Sequence, residues 1–99
     1  MAYEIGFAES VEEHLKFITT AERSRVLDAI DRQLRHSPLV ETRNRKPLRP
    51  NPLAPWELRA GTLRVFYEVT PGGPTVVRIL AIGKKMRNVL RIAGQEIQL

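Results

Sequence analysis

Arg59, Arg64, Lys84, Lys85, Arg87 and Arg91 form a basic constellation of a kind suited to work on a phosphodiester. Two of them sit in "WELRAGTLRVFYEV", residues 56 to 69. Its alternation predicts a β-hairpin with Leu58, Leu63, Val65, Tyr67 and Val69 toward one side of a sheet. The other side then carries Glu57, Arg59, Arg64 and Phe66, which brings two arginines on neighbouring strands together beside an aromatic ring. Guanidinium forks bind phosphate oxygens in two places and offset charge that builds in a transition state. Arginine stays protonated at any ordinary pH, so Arg59 and Arg64 suit phosphate binding, and Lys85 is the better candidate for moving a proton. Lys84, Arg87 and Arg91 extend the basic cluster just after the last long strand. A solvated basic terminus is the plainer reading of that stretch. Phe66 or Trp56 would stack on a base if exposed, or pack into the core if not.

A second basic stretch, "SPLVETRNRKPLRPNPLAP", holds Arg43, Arg45, Lys46 and Arg49 among five prolines, Pro38, Pro47, Pro50, Pro52 and Pro55. The prolines fix extended backbone and remove donors, so no helix runs through it. It is either a track for a phosphate backbone, with Arg45 and Lys46 in contact, or a restrained connection pinned by Leu39, Val40, Leu48 and Leu53. Other chemistry is poorly supported. The chain has no cysteine and two histidines, His14 and His36, without an evident third ligand or carboxylate partner. That argues against thiol catalysis, cysteine-held metal and paired-histidine nuclease chemistry, and each histidine reads as a surface or structural residue. No phosphate-binding loop motif is present, and Gly72, Gly73 and Gly83 read as turns and a strand end.

Positioning these groups falls to one domain spanning residues 1–99. Residues 1 to 36 hold five Lys or Arg against seven Asp or Glu, a net of −2, whereas residues 37 to 99 hold eleven against four, a net of +7. The basic later part suggests an anionic partner, nucleic acid or an acidic protein segment, or simply a charged, soluble surface. No apolar run reaches the roughly 20 residues of a membrane span, and the acidic start lacks a secretory pattern. A cytoplasmic protein without a membrane partner is expected.

Tyr3, Ile5 and Phe7 alternate as a strand. Ser10 with Glu13, and Thr19 with Glu22, give two capping signatures, each followed by a helical stripe. Val11, Leu15 and Ile18 form the first stripe; Val26, Leu27, Ile30 and Leu34 form the second. The two helices read as a hairpin packed on a sheet. "PGGP" marks a turn, and "TVVRILAIG" a central strand covered on both faces. "KKMRNVLRIAGQEIQL" reads as a short helix from Lys84 to Arg91, stopped at Gly94, with an extended end. The expected class is α+β, in the order β-α-α-β-β-β, with a small antiparallel sheet, an N-terminal helical hairpin and a short C-terminal helix or tail.

"MAYEIGFAESVEEHLKFI", "WELRAGTLRVFYEV" and "VVRILAIGKKMRNVLRIAG" together resemble the RelE/ParE superfamily of bacterial toxins from type II toxin–antitoxin systems. The likeness runs over nearly the whole chain in element order and strand patterning. It implies a toxin neutralised by a cognate antitoxin. If RelE-like, the toxin is a ribosome-dependent endoribonuclease, an mRNA interferase that inhibits translation by metal-independent attack of a ribose 2′-hydroxyl, with no cofactor. Arg59, Arg64 and Lys85 match the catalytic basic positions, and Lys84, Arg87, Arg91, Arg45 and Lys46 become RNA-binding. Two positions depart from the RelE pattern: Glu57, where some members carry lysine, and Arg91, where a tyrosine is expected. The alternatives are a ParE-like inhibitor of DNA gyrase and a catalytically inactive, antitoxin-binding member.

Overall fold

The computed structural model describes residues 2–70 and 75–99; the expected "PGGP" turn lies outside them. The chain forms β1 (Glu4–Phe7), α1 (Ser10–Leu15), α2 (Thr20–Leu34), β2 (Arg45–Pro47), β3 (Trp56–Ala60), β4 (Leu63–Val69), β5 (Val76–Met86), β6 (Val89–Ile92) and β7 (Gln95–Ile97). Strands β2 to β7 lie side by side in chain order, all antiparallel. β1 adds parallel to the first half of β5, and β6 pairs with its last three residues.

The architecture corrects the expected fold class. A seven-stranded sheet dominates the described residues, and the helices are α1, of six residues, and α2, of fifteen. They form no packed N-terminal helical hairpin: α1 lies on β5, whereas α2 lies over β3 and β4. One and a half turns give α1 too little surface to pair with a longer helix, so each buries its stripe on the sheet. The expected capping box at Ser10 is absent, because the Ser10 hydroxyl donates to the Leu80 carbonyl oxygen at 3.4 Å and Glu9 takes the N-cap position. At α2 the box forms in full: the Thr19 hydroxyl accepts from the Glu22 amide at 3.1 Å, and a Glu22 carboxylate oxygen accepts from the Thr19 amide at 2.9 Å. Val26, Ile30 and Leu34 are buried as expected, but Leu27 is exposed.

The expected C-terminal helix is also replaced. β5 runs on through Lys84 and Lys85 to Met86, and the chain then makes two tight hairpins. Arg87 and Asn88 have φ of 52° and 64°, and Ala93 and Gly94 have 52° and 78°. Consecutive left-handed residues match the right-handed twist of two flanking strands, so they close hairpins and cannot continue a helix.

Alternation gives the sheet two buried faces. Leu58, Leu63, Val65, Tyr67, Val77, Ile79 and Ile82 meet Val11, Ile18, Val26, Ile30 and Leu34 on the helix-covered face. Behind it, Phe66 and Ala81 pack with Ala54 of the proline-rich loop and with Leu90 and Ile92 of β6. At Gly83 a Cβ would stand 2.7 Å from the Arg91 carbonyl oxygen and 2.8 Å from Ile92 Cγ1, so glycine lets β6 approach the back face.

The proline-rich segment is a restrained connection, pinned by Leu48 and Leu53 against the rear core, whereas Leu39 and Val40, expected to pin it too, are exposed. The Asn51 side chain donates to the Arg49 and Ala54 carbonyls and accepts from the Leu53 and Ala54 amides, all within 3.0 Å. The buried Tyr67 hydroxyl donates to the Pro38 carbonyl at 2.6 Å.

Candidate functional site: a basic back face

The hairpin β3–β4 places its two arginines as the sequence implies. Arg59 and Arg64 are directly paired across the strands, and Arg64 is paired on its other side with Gly83 of β5. A glycine there leaves the neighbouring strand without a side chain beside the guanidinium. Both arginines are partly buried, and neither lies loose in solvent.

Arg64 is tied on two sides. Its Nη1 donates to the carbonyl oxygens of Gly61 at 2.7 Å and Leu63 at 2.9 Å, folding the guanidinium back over the hairpin turn. Its Nε lies 3.2 Å from Glu57 Oε1, with only 12% and 11% of the two side chains exposed. The distance is that of an ion pair, yet the N–H at Nε does not point along it, and the buried Nε atoms of both Arg64 and Arg59 lack a hydrogen-bond partner. Burial depresses the Arg64 pKa; Glu57 opposes that shift, and Arg59 beside it reinforces it. A guanidinium remains protonated through such a shift, so the pair is a dense, incompletely satisfied positive centre.

Lys85 belongs to the same face. Its amide donates to the Thr62 carbonyl at 2.7 Å, and it stands two residues beyond Gly83 on β5. Together with Glu57, Leu48, Leu90 and Ile97 it lines a pocket of about 340 Å³. Lys46 of β2 is paired with Glu57, which places it on this face as well. Strand alternation therefore gathers Lys46, Glu57, Arg59, Arg64 and Lys85.

Lys84, Arg87 and Arg91 do not join them. Lys84 points to the helix side, where its Nζ lies 2.6 Å from Glu22 Oε2. That bond, with the capping contact from Thr19, holds the Glu22 carboxyl below its usual range. Arg91 is paired with Lys84 across β5–β6 and so shares its face. Arg87 sits at the hairpin tip. The three line a different pocket, of about 400 Å³, whose other walls include His14, Phe17 and Met86. Arg45 is occupied elsewhere: its Nη1 donates to the Gln33 carbonyl at 2.7 Å and its Nε to Val40 at 3.1 Å, tying the loop to the end of α2.

Neither aromatic side chain offers a free stacking platform on the back face. Phe66 is fully buried in the rear core. Trp56 packs on the helix side, its ring 6.1 Å from that of Tyr67 at 28°.

Two residues have larger parts than sequence reasoning gave them. Glu57 is the ionic partner of Arg64 rather than a bystander. His14 accepts the Ile82 amide through Nδ1 at 3.2 Å, which leaves its proton on Nε2. Burial lowers its pKa, against a weaker upward pull from Glu13. No sequence spacing connects positions 14 and 82; only packing of α1 on β5 does. Among the described residues no three of His, Asp and Glu group as metal ligands, and no helix is long and apolar enough to cross a membrane. No known family model matches the chain, and no curated protein matches it.

Proposed function

We propose that the protein is a RelE-like toxin of a type II toxin–antitoxin system, a ribosome-dependent endoribonuclease acting on messenger RNA. The observation that carries this reading is the Arg59–Arg64 cross-strand pair, sharing one sheet face with Lys85. These are the positions at which the sequence resembles RelE-like nucleases.

In this mechanism the ribose 2′-oxygen attacks the adjacent phosphorus, its proton passing to water as the O2′–P bond forms. The P–O5′ bond breaks, leaving a 2′,3′-cyclic phosphate and a free 5′-hydroxyl. Arg59 and Arg64 hold the non-bridging oxygens, where negative charge grows in the transition state. The Lys85 ammonium supplies the proton to the departing 5′-oxygen. Lys46, on the same face, contacts a neighbouring phosphate. Arg87 and Arg91 add attraction for the RNA backbone from beyond that face.

The ribosome supplies what the chain does not. With Phe66 buried and Trp56 turned away, neither ring aligns a base at the arginines, so ordering of the nucleotide falls to the decoding site. The setting is cytoplasmic, and the controlling partner is a cognate antitoxin. A second reading, a protein-binding toxin of the gyrase-inhibiting kind or an inactive antitoxin-binding member, is favoured by the 400 Å³ pocket around His14. Phe17 and Met86, both more than half exposed, stand there beside Arg87 and Arg91. An acidic segment with bulky apolar anchors suits that chemistry.

Primer extension on a defined messenger RNA separates the readings. Cuts inside translated codons that need ribosomes and disappear with Arg64→Ala are expected. Intact RNA, together with stabilised gyrase–DNA cleavage complexes, would select the second reading.

A further inference from the structure

Among the described residues Glu57 is the acidic group paired to Arg64, and its placement is unusual for a surface carboxylate. It is buried to 9% exposure beside Phe66, its partner on β4, on a sheet face that also carries the cations Arg59, Arg64, Lys46 and Lys85. Its carboxylate stands 3.2 Å from Arg64 Nε, against the guanidinium that an incoming phosphate would have to approach. The contact is poorly aligned, because that N–H has no hydrogen-bond partner, and neither does the buried Nε of Arg59. A buried guanidinium N–H with no aligned acceptor gains a charge-assisted bond when an anion supplies one.

Glu57 also has places to go. Lys46 is its cross-strand neighbour, and Lys85 lines the same 340 Å³ pocket. A carboxylate released from Arg64 therefore stays within a cationic surround and does not become an unpaired buried charge.

We infer that Glu57 is the specificity-determining residue of this anion site: its carboxylate competes with phosphate for Arg64 and moves toward Lys46 and Lys85 when phosphate takes its place. The inference rests on the reading of Arg59 and Arg64 as phosphate ligands. Its consequence is selectivity by charge. A weak monoanion does not displace a carboxylate already paired to Arg64, whereas a polyanionic phosphate chain does. Free single-stranded RNA would be held loosely, and only RNA presented with several phosphates in fixed register would open the pair.

The test is calorimetric titration of the protein with inorganic pyrophosphate. Glu57→Gln, which keeps the shape and removes the charge, should bind about tenfold more tightly than wild type, and Glu57→Asp, which withdraws the oxygen from Arg64, should fall between. The gain should vanish in Glu57→Gln combined with Arg64→Ala. If Glu57→Gln binds no better than wild type while Arg64→Ala binds worse, the competition is overturned and the phosphate site stands. If Arg64→Ala binds as well as wild type, both are overturned. Should Glu57→Gln fail to fold, the wild-type protein still decides: the Glu57 side-chain carboxyl resonance must shift at saturating pyrophosphate, and a resonance that stays in place contradicts the inference.

Discussion

The helix-covered face and the back face of this sheet are both buried, yet they are built from different materials. On the helix side, aliphatic side chains from β3, β4 and β5 meet two helices, and two cations at its margin are partnered: Lys84 by Glu22, and Arg45 by the carbonyls of Gln33 and Val40. The back face carries a small core around Phe66 and, one residue pair further along β3 and β4, two facing arginines, of which Arg64 is paired with Glu57. Those two cations hold the fold. Behind the sheet the buried Nε atoms of Arg59 and Arg64 lack a hydrogen-bond partner, and an incompletely satisfied charged group of that kind is what a binding site uses.

The largest expected effect tests whether the back face is a true core. Phe66→Ala should cost roughly 3–5 kcal/mol, comparable with Leu58→Ala on the helix side, by urea denaturation. A loss under about 1 kcal/mol would show that Phe66 is not packed, and would reopen it as a stacking platform.

Next comes the pin on the helix side. Tyr67→Phe removes the hydrogen bond to Pro38 and leaves a buried carbonyl oxygen without its donor, a cost of about 1–3 kcal/mol. Thermal unfolding should show the loss, with pyrophosphate binding unchanged. Thr19→Ala should follow at about 1 kcal/mol, since one arm of the capping box is lost. Because Glu22 also holds Lys84, this change should loosen Lys84 in side-chain NMR while leaving Arg64 undisturbed.

The smallest effect is one of pH. Burial lowers the His14 pKa from its ordinary 6.5, so the unfolded chain takes up that proton more readily than the folded one. The stability due to His14 is complete above pH 6.5 and is lost as pH falls through the folded value. Glu22 acts in the same direction at lower pH: its lowered pKa contributes stability above 4.5 that disappears on further acidification. Urea midpoints should therefore fall between pH 7.5 and pH 5, and His14→Gln should flatten that part of the curve.

The contrast between the faces also explains what the sequence made legible. Strong alternation in residues 63–69 and the Thr19–Glu22 pair are local signals, and both elements form where they were expected. The same alternation correctly placed Arg59 beside Arg64, because a two-residue turn sets the register of a hairpin. The last sixteen residues failed for a physical reason. "KKMRNVLR" has charged and apolar residues spaced plausibly for a helix, and the deciding event is two successive left-handed residues, Arg87 and Asn88, one of which favours that region only weakly by type. Asn88 followed by Val89, Leu90 and Ile92 was the available hint of a hairpin. Once that segment is extended, Lys84 and Lys85 point to opposite faces, which divides a cluster that looks continuous in the sequence. The pairing of His14 with Ile82, 68 residues apart, has no local signature at all.

The proposed function requires the back face, and not the pocket around His14, to receive phosphate. Titrating the isotope-labelled protein with inorganic pyrophosphate, while following side-chain and amide resonances, separates the two. The Nε–H signals of Arg59 and Arg64 and the side-chain signals of Lys85 should move together and saturate. Movement confined to His14, Phe17, Met86 and Arg91, with Arg59 and Arg64 unchanged, would contradict it.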